Sequence, residues 1–466
     1  MDKSQTFFIE PFVDTGLGNS AYLIGSHESK QAVLIDPLRD VDRYRHAAEQ
    51  LGVRLAYLLD THLHNDFVSG ARELAAQTGA VIGASAESRV EFDHKPLVES
   101  DEVELGDLRI KVLATPGHTP EHIAFLLERD GAPNALFSGG ALMVGGAART
   151  DLLGHEHTLP LTRDLYHSLH DKLLKLPDAV GVYPTHGAGT FCAAPVSSER
   201  TSTIGQERRR NRLAQAASET EFIEQALSGL PSHPVYYPHV RAMNRRGPRL
   251  LGGLPLLKPL SPEEVQAHVA RGAAVLDVRH QRAFAAGHLP NAYGIQSDMP
   301  LVTWAGWLIP FGTPLILVAK DAAEREAAVR QLIRIGYDDL RGYLEGGVEA
   351  WAKAGLAVET VTVISSDDLR ARLKAGEPLR VVDVRQQNEW DAGHLPGATH
   401  IENGRLPWDD LPLPTDRPIV VHCAHGARSM AAISVLKRRG YTAHHLLQVE
   451  GGFTAWEKAG GEVSRE

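Results

Sequence analysis

Two stretches of the 466-residue sequence are copies of each other. Residues 276–295 read LDVRHQRAFAAGHLPNAYGI and residues 382–401 read VDVRQQNEWDAGHLPGATHI, so that DVR, AGHLP and a later Ala and Ile stay in register without a gap. A second block recurs further on, as GYDDLRGYLEGGVEAW at 336–351 and GYTAHHLLQVEGGFTAW at 440–456. A period of about 105 residues is too long for a solenoid unit and long enough for a domain. Two homologous domains are therefore expected, at 257–359 and 360–466. Within each, short apolar runs (AAVLDV, PLILVA, LRVVDV, PIVVHC) alternate with helical patterns such as EREAAVRQLIRIG and ARSMAAISVLKRRG. That alternation predicts buried parallel strands with crossover helices.

The repeat leaves the first half of the chain unexplained. Residues 1–225 alternate strand-like segments (AYLIG, QAVLIDP, RIKVLATPGH, NALFSGG) with helical ones, which predicts a larger α/β domain. Residues 226–256, with GLPSHPVYYPH and NRRGPRLLGGLPLLKP, are rich in Pro, Gly and Arg without sustained periodicity and read as a linker. The formal net charge of -10 is the wrong sign for a chain that coats nucleic acid, and Arg208, Arg209 and Arg210 read as a solvated helix face. The amino terminus lacks a basic segment followed by an apolar stretch, and no apolar run approaches the ~18 residues of a membrane span. With two cysteines, Cys192 and Cys423, no disulfide framework is available, so a cytoplasmic location is expected.

Each thiol then has to be judged for reactivity. In PIVVHCAHGARSM a hydrophobic strand ends at Cys423 and a helix begins near Arg428. A loop of this kind, Ala424, His425, Gly426, Ala427, Arg428 and Ser429, turns backbone N–H groups and a helix N-terminus toward the sulfur, which favours the thiolate and a bound anion. The set DVR, EW..GHLPGA, CAHGARS and VEGGF..W resembles the rhodanese sulfurtransferase family over 360–466. The resemblance implies that Cys423 carries sulfane sulfur as a persulfide and that Arg428 holds the anionic substrate. A related phosphatase group has one more residue between Cys and Arg; here four separate Cys423 from Arg428, which favours sulfur transfer. The first copy resembles rhodanese over 257–359 but has Ala319 opposite Cys423, followed by DAAEREAAV, so it is expected to be inactive and structural.

The N-terminal half carries histidines at ligand spacing. After the strand-like LAYLLD comes THLHNDF, placing His62, His64 and Asp66 at alternate positions; His118 lies in GHTPEH and His186 in PTHGAG, at two further strand ends. These residues resemble the metallo-β-lactamase fold, an αββα sandwich, over 1–225. Its pattern is H-x-H-x-D-H, a lone His, an Asp and a last His, and this chain departs from it twice, with Phe67 for the final histidine and Gly140 for the metal-bridging aspartate. A two-metal hydrolase is thereby disfavoured. His62, His64 and His118 remain as ligands for one Fe²⁺ or Zn²⁺, with Asp66 and His186 as further candidates, or the domain has lost its metal.

The whole arrangement resembles the persulfide dioxygenase/sulfurtransferase fusions: an α/β multidomain chain with one metallo-β-lactamase-like sandwich and two rhodanese-like domains with central parallel sheets. In that family Fe²⁺ sits on two histidines and a carboxylate, matching His62, His118 and position 140. The resemblance implies oxidation of a low-molecular-weight thiol persulfide to sulfite, coupled to sulfur transfer through Cys423, with persulfide, thiosulfate or sulfite as partners, in a homo-oligomer. Cys192, in THGAGTFC, is expected near the metal cavity as a persulfide anchor or else as a buried small residue; Arg149 and Asp151, in ARTDL, are candidate contacts for an anionic thiol or else a plain ion pair. A mononuclear zinc hydrolase of thioester-like substrates and a non-catalytic sulfur carrier with a relic metal site are the rival readings.

Overall fold

The computed structural model describes residues 7–194, 197–411, 413–414, 416–442 and 445–465, so the first six residues of the amino-terminal reading lie outside it. The chain divides into two compact units, one of the residues up to Leu254 together with Ile333–Gly336, the other of Pro255–Leu332 together with the residues from Tyr337 onward. Among the described residues no helix is long and apolar enough to cross a membrane.

The first unit is built on two six-stranded sheets. One runs in the order β1 (Phe7–Asp14), β2 (Asn19–Ser26), β3 (Gln31–Ile35), β4 (Arg54–Leu59), β5 (Val81–Ser85), β6 (Lys95–Leu97). The other contains β7 (Glu102–Leu105), β8 (Leu108–Ala114), β9 (Ile123–Arg129), β10 (Ala132–Gly139), β11 (Gly181–Pro184) and β12 (Ser202–Thr203), in reverse order from β12 to β7. Strand side chains alternate between faces, and the apolar runs supply both. Tyr22, Ile24, Val33 and Ile35 join Ile110, Val112, Phe125 and Leu127 in the core that draws on both sheets. The intervening Ala21, Leu23, Ala32 and Leu34 pack with Tyr44 and Leu74 of the helices Asp42–Leu51 and Ala71–Thr78. Ala124, Leu126 and Val182 pack with Leu165 and Phe222 of the helices His155–His167 and Glu219–Leu227. The result is the αββα sandwich.

The segment 226–256 is not a free tether. It contains the helix Tyr237–Arg246, and Tyr236, Tyr237 and Asn244 are buried. Tyr236 Oη donates to Asp66 O (2.7 Å), while Asn244 Nδ2 donates to His64 O (2.9 Å) and Phe67 O (2.8 Å). The segment expected as a linker is instead a strap, and because its task is to satisfy another loop's carbonyls it needs no hydrophobic periodicity of its own.

In the second unit the repeat becomes visible as geometry. The first copy pairs β13 (Pro259–Leu260), β17 (Leu340–Leu344), β16 (Leu315–Val318), β14 (Ala274–Asp277) and β15 (Tyr293–Gly294) in that order, all parallel. The second pairs β18 (Thr362–Ile364), β22 (Leu446–Val449), β21 (Ile419–His422), β19 (Arg380–Asp383) and β20 (Thr399–His400) in the same way. The DVR motif explains its own recurrence: Asp277 and Asp383 end a central strand and bind Arg279 and Arg385 through both carboxylate oxygens.

Candidate metal centre and sulfur loop

Three imidazoles converge at the strand ends of the first unit. His62 follows β4, His118 follows β8 and His186 follows β11, and one ring nitrogen from each lies within 4.8 Å of the others. Their outer nitrogens are fixed. His118 Nδ1 donates to the Arg149 carbonyl (2.7 Å), which can only accept. Asn19 Nδ2 donates to Asp66 Oδ2 (2.7 Å), which leaves Asn19 Oδ1 to accept from His186 Nδ1 (3.0 Å). The Thr61 hydroxyl donates to Asp36 Oδ2 (2.8 Å), so its oxygen accepts from His62 Nδ1 (2.9 Å). This network assigns the proton of every ring to Nδ1. All three Nε2 atoms are buried without a partner.

Burial, reinforced by neighbouring imidazoles, pushes His62 well below the ordinary histidine range and holds His118 and His186 at about 3. Three buried, proton-free lone pairs facing one another are costly unless something accepts them, and a divalent cation does. The residues therefore fit a mononuclear metal. Because the imidazoles are already neutral at pH 7, metal binding there should release no proton from them. At pH 6, where a zinc-bound water of pKa ~7 keeps its protons and ordinary imidazoles of pKa ~6.5 would be mostly charged, calorimetric titration of the apoprotein with Zn²⁺ in buffers of different ionisation enthalpy should give a binding enthalpy that, corrected for metal–buffer complexes, does not depend on the buffer; release of a full proton or more would contradict this assignment. Affinity should fall only as pH drops toward the lowered histidine range.

The set differs from the expected His62, His64 and His118. His64 Nε2 lies 3.1 Å from Asp36 Oδ1, and its ring stacks on Phe67 with centroids 4.0 Å apart. Burial alone would lower the His64 pKa, but the Asp36 carboxylate outweighs it and holds it above the ordinary value. His64 is grouped instead with Asp66 and His186, or with Asp36 and Asp60. Asp66 approaches His186 at Nδ1 (3.5 Å), the ring nitrogen away from the cluster. Position 140 has no room for a carboxylate: a Cβ there would lie 2.8 Å from both Ala148 Cβ and His118 Cδ2.

Several supports of the cluster carry no motif of their own in the sequence. Asp36, buried at the end of β3, accepts from Thr61 N (2.7 Å), Thr61 Oγ1 and Thr185 Oγ1 as well as contacting His64. His122, inside the quoted GHTPEH, accepts the Gly140 N–H at Nε2 (3.0 Å) and stacks 5.1 Å from His62. Arg149 is committed elsewhere than to a ligand: it grips Asp151 through two hydrogen bonds (2.6 and 2.7 Å) and donates to Pro231 O (2.7 Å) and Phe191 O (3.2 Å). Arg149 and Asp151 form an ion pair, but not the surface one expected: the Arg149 side chain is buried, and the pair braces the residue whose carbonyl holds His118. Cys192 is fully buried, 3.7 Å from Tyr237 Oη, and burial drives its pKa well up, so it is a protonated thiol rather than a nucleophile.

The second site follows β21. Gly426 N–H donates to Cys423 Sγ (3.1 Å), Ser429 Oγ lies 3.8 Å from the sulfur, and Ser429 Oγ donates back to Gly426 O (2.7 Å). The helix Ala427–Arg438 begins at this point. Arg428 does not hang free over the loop, since both its terminal nitrogens bind Glu389 (2.5 and 2.7 Å). In the first copy Ala319 follows β16, and Glu324 accepts from Lys320 N (2.6 Å) and Ser297 Oγ (2.9 Å). That turn offers no thiol, and a carboxylate is hydrogen-bonded to its backbone.

An αββα sandwich with a cluster of histidines suited to a metal, followed by two rhodanese-like domains, is the class this fold defines. The metallo-beta-lactamase superfamily model matches residues 14–186, and the rhodanese-like domain model matches 261–354 and 365–459. The chain belongs to the family of the persulfide dioxygenases: it is 35% identical over 188 residues to the human mitochondrial persulfide dioxygenase ETHE1, an alignment covering 39% of this chain and 68% of that protein. A hydroxyacylglutathione hydrolase from Pseudomonas syringae pv. syringae is 34% identical over 172 residues, covering 36% and 61%. Among solved structures, a metallo-beta-lactamase from Staphylococcus aureus subsp. aureus COL is similar with a TM-score of 0.65 and 29% identity, covering 73% of this chain and 99% of that one. The chain is thus an enzyme of sulfur metabolism.

Proposed function

We propose that this enzyme oxidises a low-molecular-weight persulfide at one divalent metal held by His62, His118 and His186, and moves sulfane sulfur through Cys423. The convergence of three buried, proton-free Nε2 atoms carries the first half. The reaction is RSSH + O₂ + H₂O → RSH + SO₃²⁻ + 2 H⁺. Bound Fe²⁺ would supply the one-electron chemistry that O₂ requires. The chain's own residues orient and exclude: Thr61, Arg149 and Asn19 hold the three rings, Phe67 and Asp36 hold His64 aside, and the ligand shell is buried from bulk water.

For the second half, the Cys423 thiolate attacks the outer sulfur of a persulfide; a new S–S bond forms, the old one breaks, and its electron pair leaves with RS⁻. Sulfite then attacks the outer sulfur of Cys423–S–S⁻, giving thiosulfate and restoring the thiolate. The Gly426 N–H sits where it can stabilise negative charge on Sγ at each stage.

Three neutral imidazoles also suit a zinc-bound water, so hydrolysis is the competing reading. Oxygen uptake by the iron-loaded protein with glutathione persulfide decides between them. One sulfite or thiosulfate formed per O₂ is the expected result. No oxygen uptake with one iron bound per chain, together with thioester hydrolysis by the zinc form, would overturn the reading.

A further inference from the structure

The copy without a cysteine touches the sulfur loop of the other. The short helix Gln281–Ala286 of the first copy brings the Gln281 side chain against Gly426: a Cβ on Gly426 would lie 2.6 Å from Gln281 Oε1 and 3.1 Å from Gln281 Nε2. Gly426 has φ +108°, a conformation suited to glycine, so the backbone torsion and the close approach exclude a side chain together. Gln448, on β22 of the second copy, joins the two. Its Nε2 donates to Gly426 O (2.6 Å) and Gln281 Oε1 (3.0 Å), and lies 3.3 Å from Ser429 Oγ. Gly426 is also the residue whose N–H reaches Cys423 Sγ.

We infer that Gln281 is a positioning residue of the sulfur site: through Gln448 and by direct packing it holds Gly426 with its N–H on Cys423 Sγ. Rotation of the backbone there would withdraw the donor that reaches the sulfur, and the residue is restrained at two points. Its carbonyl is restrained by Gln448 and Ser429, and its Cα by the Gln281 amide. Gln281 is itself anchored, since its backbone N–H donates to Gln296 Oε1 (2.9 Å). The repeat-equivalent of Gln448 in the first copy is Tyr343, covered by the Arg325 guanidinium at 3.7 Å, so the clamp exists at the cysteine-bearing loop and not at its counterpart. The helix that follows the loop also rests on the first copy, with Arg438 over the Tyr293 ring at 4.2 Å and Lys437 2.7 Å from His288 Nε2. The copy that has no cysteine supplies one wall of the site that has one.

The inference rests on Cys423 as the sulfur carrier, and the experiment separates the two. Gln281→Met keeps the length and removes the acceptor; Gln281→Glu keeps the acceptor and adds a charge. Arg282→Ala removes an exposed ion pair with Glu450 (2.8 Å) between the copies and serves as control. In full-length protein, iodoacetamide labelling of Cys423 across pH is followed by peptide mass spectrometry, alongside kcat and KM for thiosulfate in cyanide-dependent transfer. Gln281→Met should move the labelling midpoint to higher pH and lower kcat about five-fold, the scale of one neutral hydrogen bond. Gln281→Glu should raise KM about ten-fold through repulsion of the anion, with a smaller change in kcat. Arg282→Ala should match the parent. If both Gln281 variants label and turn over like the parent, or if Arg282→Ala reproduces their effects, the assignment fails. A parent protein that labels but transfers no sulfur would sink the sulfur-carrier reading instead, and the labelling profiles would still decide the role of Gln281.

Discussion

Alanine at His186 is expected to strip the metal from the purified protein, whereas alanine at His64 is expected to leave most of it in place. His186 presents a buried Nε2 to the cluster, with Nδ1 held by Asn19, and its removal leaves two imidazoles where three stood. Loss of an outer partner of a ligand costs roughly 10–100-fold in affinity, and loss of the ligand itself should exceed that. Asn19→Ala is the intermediate case and should fall in the roughly 10–100-fold range. Elemental analysis after dialysis against a graded chelator, with the Co²⁺ absorption spectrum as a second readout, orders the variants. His64→Ala losing as much metal as His186→Ala would restore the ligand set expected from spacing alone. Since His64 is buried against Asp36, a thermal melt beside each measurement separates unfolding from lost coordination.

Serine at Cys423 should change the product without changing the oxygen consumed. If oxidation and transfer are separate steps, the wild-type protein given excess persulfide yields thiosulfate, and Cys423→Ser yields sulfite at the same rate of oxygen uptake, with cyanide-dependent transfer at background. A hydroxyl in place of the sulfur cannot accept sulfane sulfur, and the Gly426 N–H then has nothing to stabilise. Cys192→Ser, at a fully buried thiol held in its protonated form, should alter the product ratio little. Ion chromatography of the sulfur anions against an oxygen-electrode trace reads both quantities. Thiosulfate from Cys423→Ser at the wild-type proportion would assign the transfer step elsewhere.

What could be read from the chain and what could not divides along the distance between cause and effect. The Cys423 loop was legible because a contiguous run of seven residues carries it, and its missing counterpart at Ala319 was legible because the repeat supplies its own reference. His62 and His118 were legible as short motifs. His186 could be read as a further candidate at a strand end, but not the support that aims its ring, which comes from Asn19, 167 positions away, nor the absent Cβ of Gly140 that leaves room for the His118 ring. His64 has the same spacing as a ligand, and only the buried Asp36 and the Phe67 face show that its ring is engaged elsewhere. Arg428 could be placed beside the loop, but its pairing with Glu389 across 39 residues could not.

The strap at 226–256 extends the metal site beyond the stretch that holds its ligands. Every imidazole of the cluster lies before residue 225, and a fragment that stopped there would look complete by motif. It would lack Tyr236 and Asn244, which take up the carbonyls of the THLHNDF loop, and Pro231, whose carbonyl receives the arginine that braces His118. A protease that nicks this segment would leave the ligands covalently intact and mechanically unsupported. Metal retention is therefore expected to depend on a longer stretch of chain than the one that carries the three imidazoles.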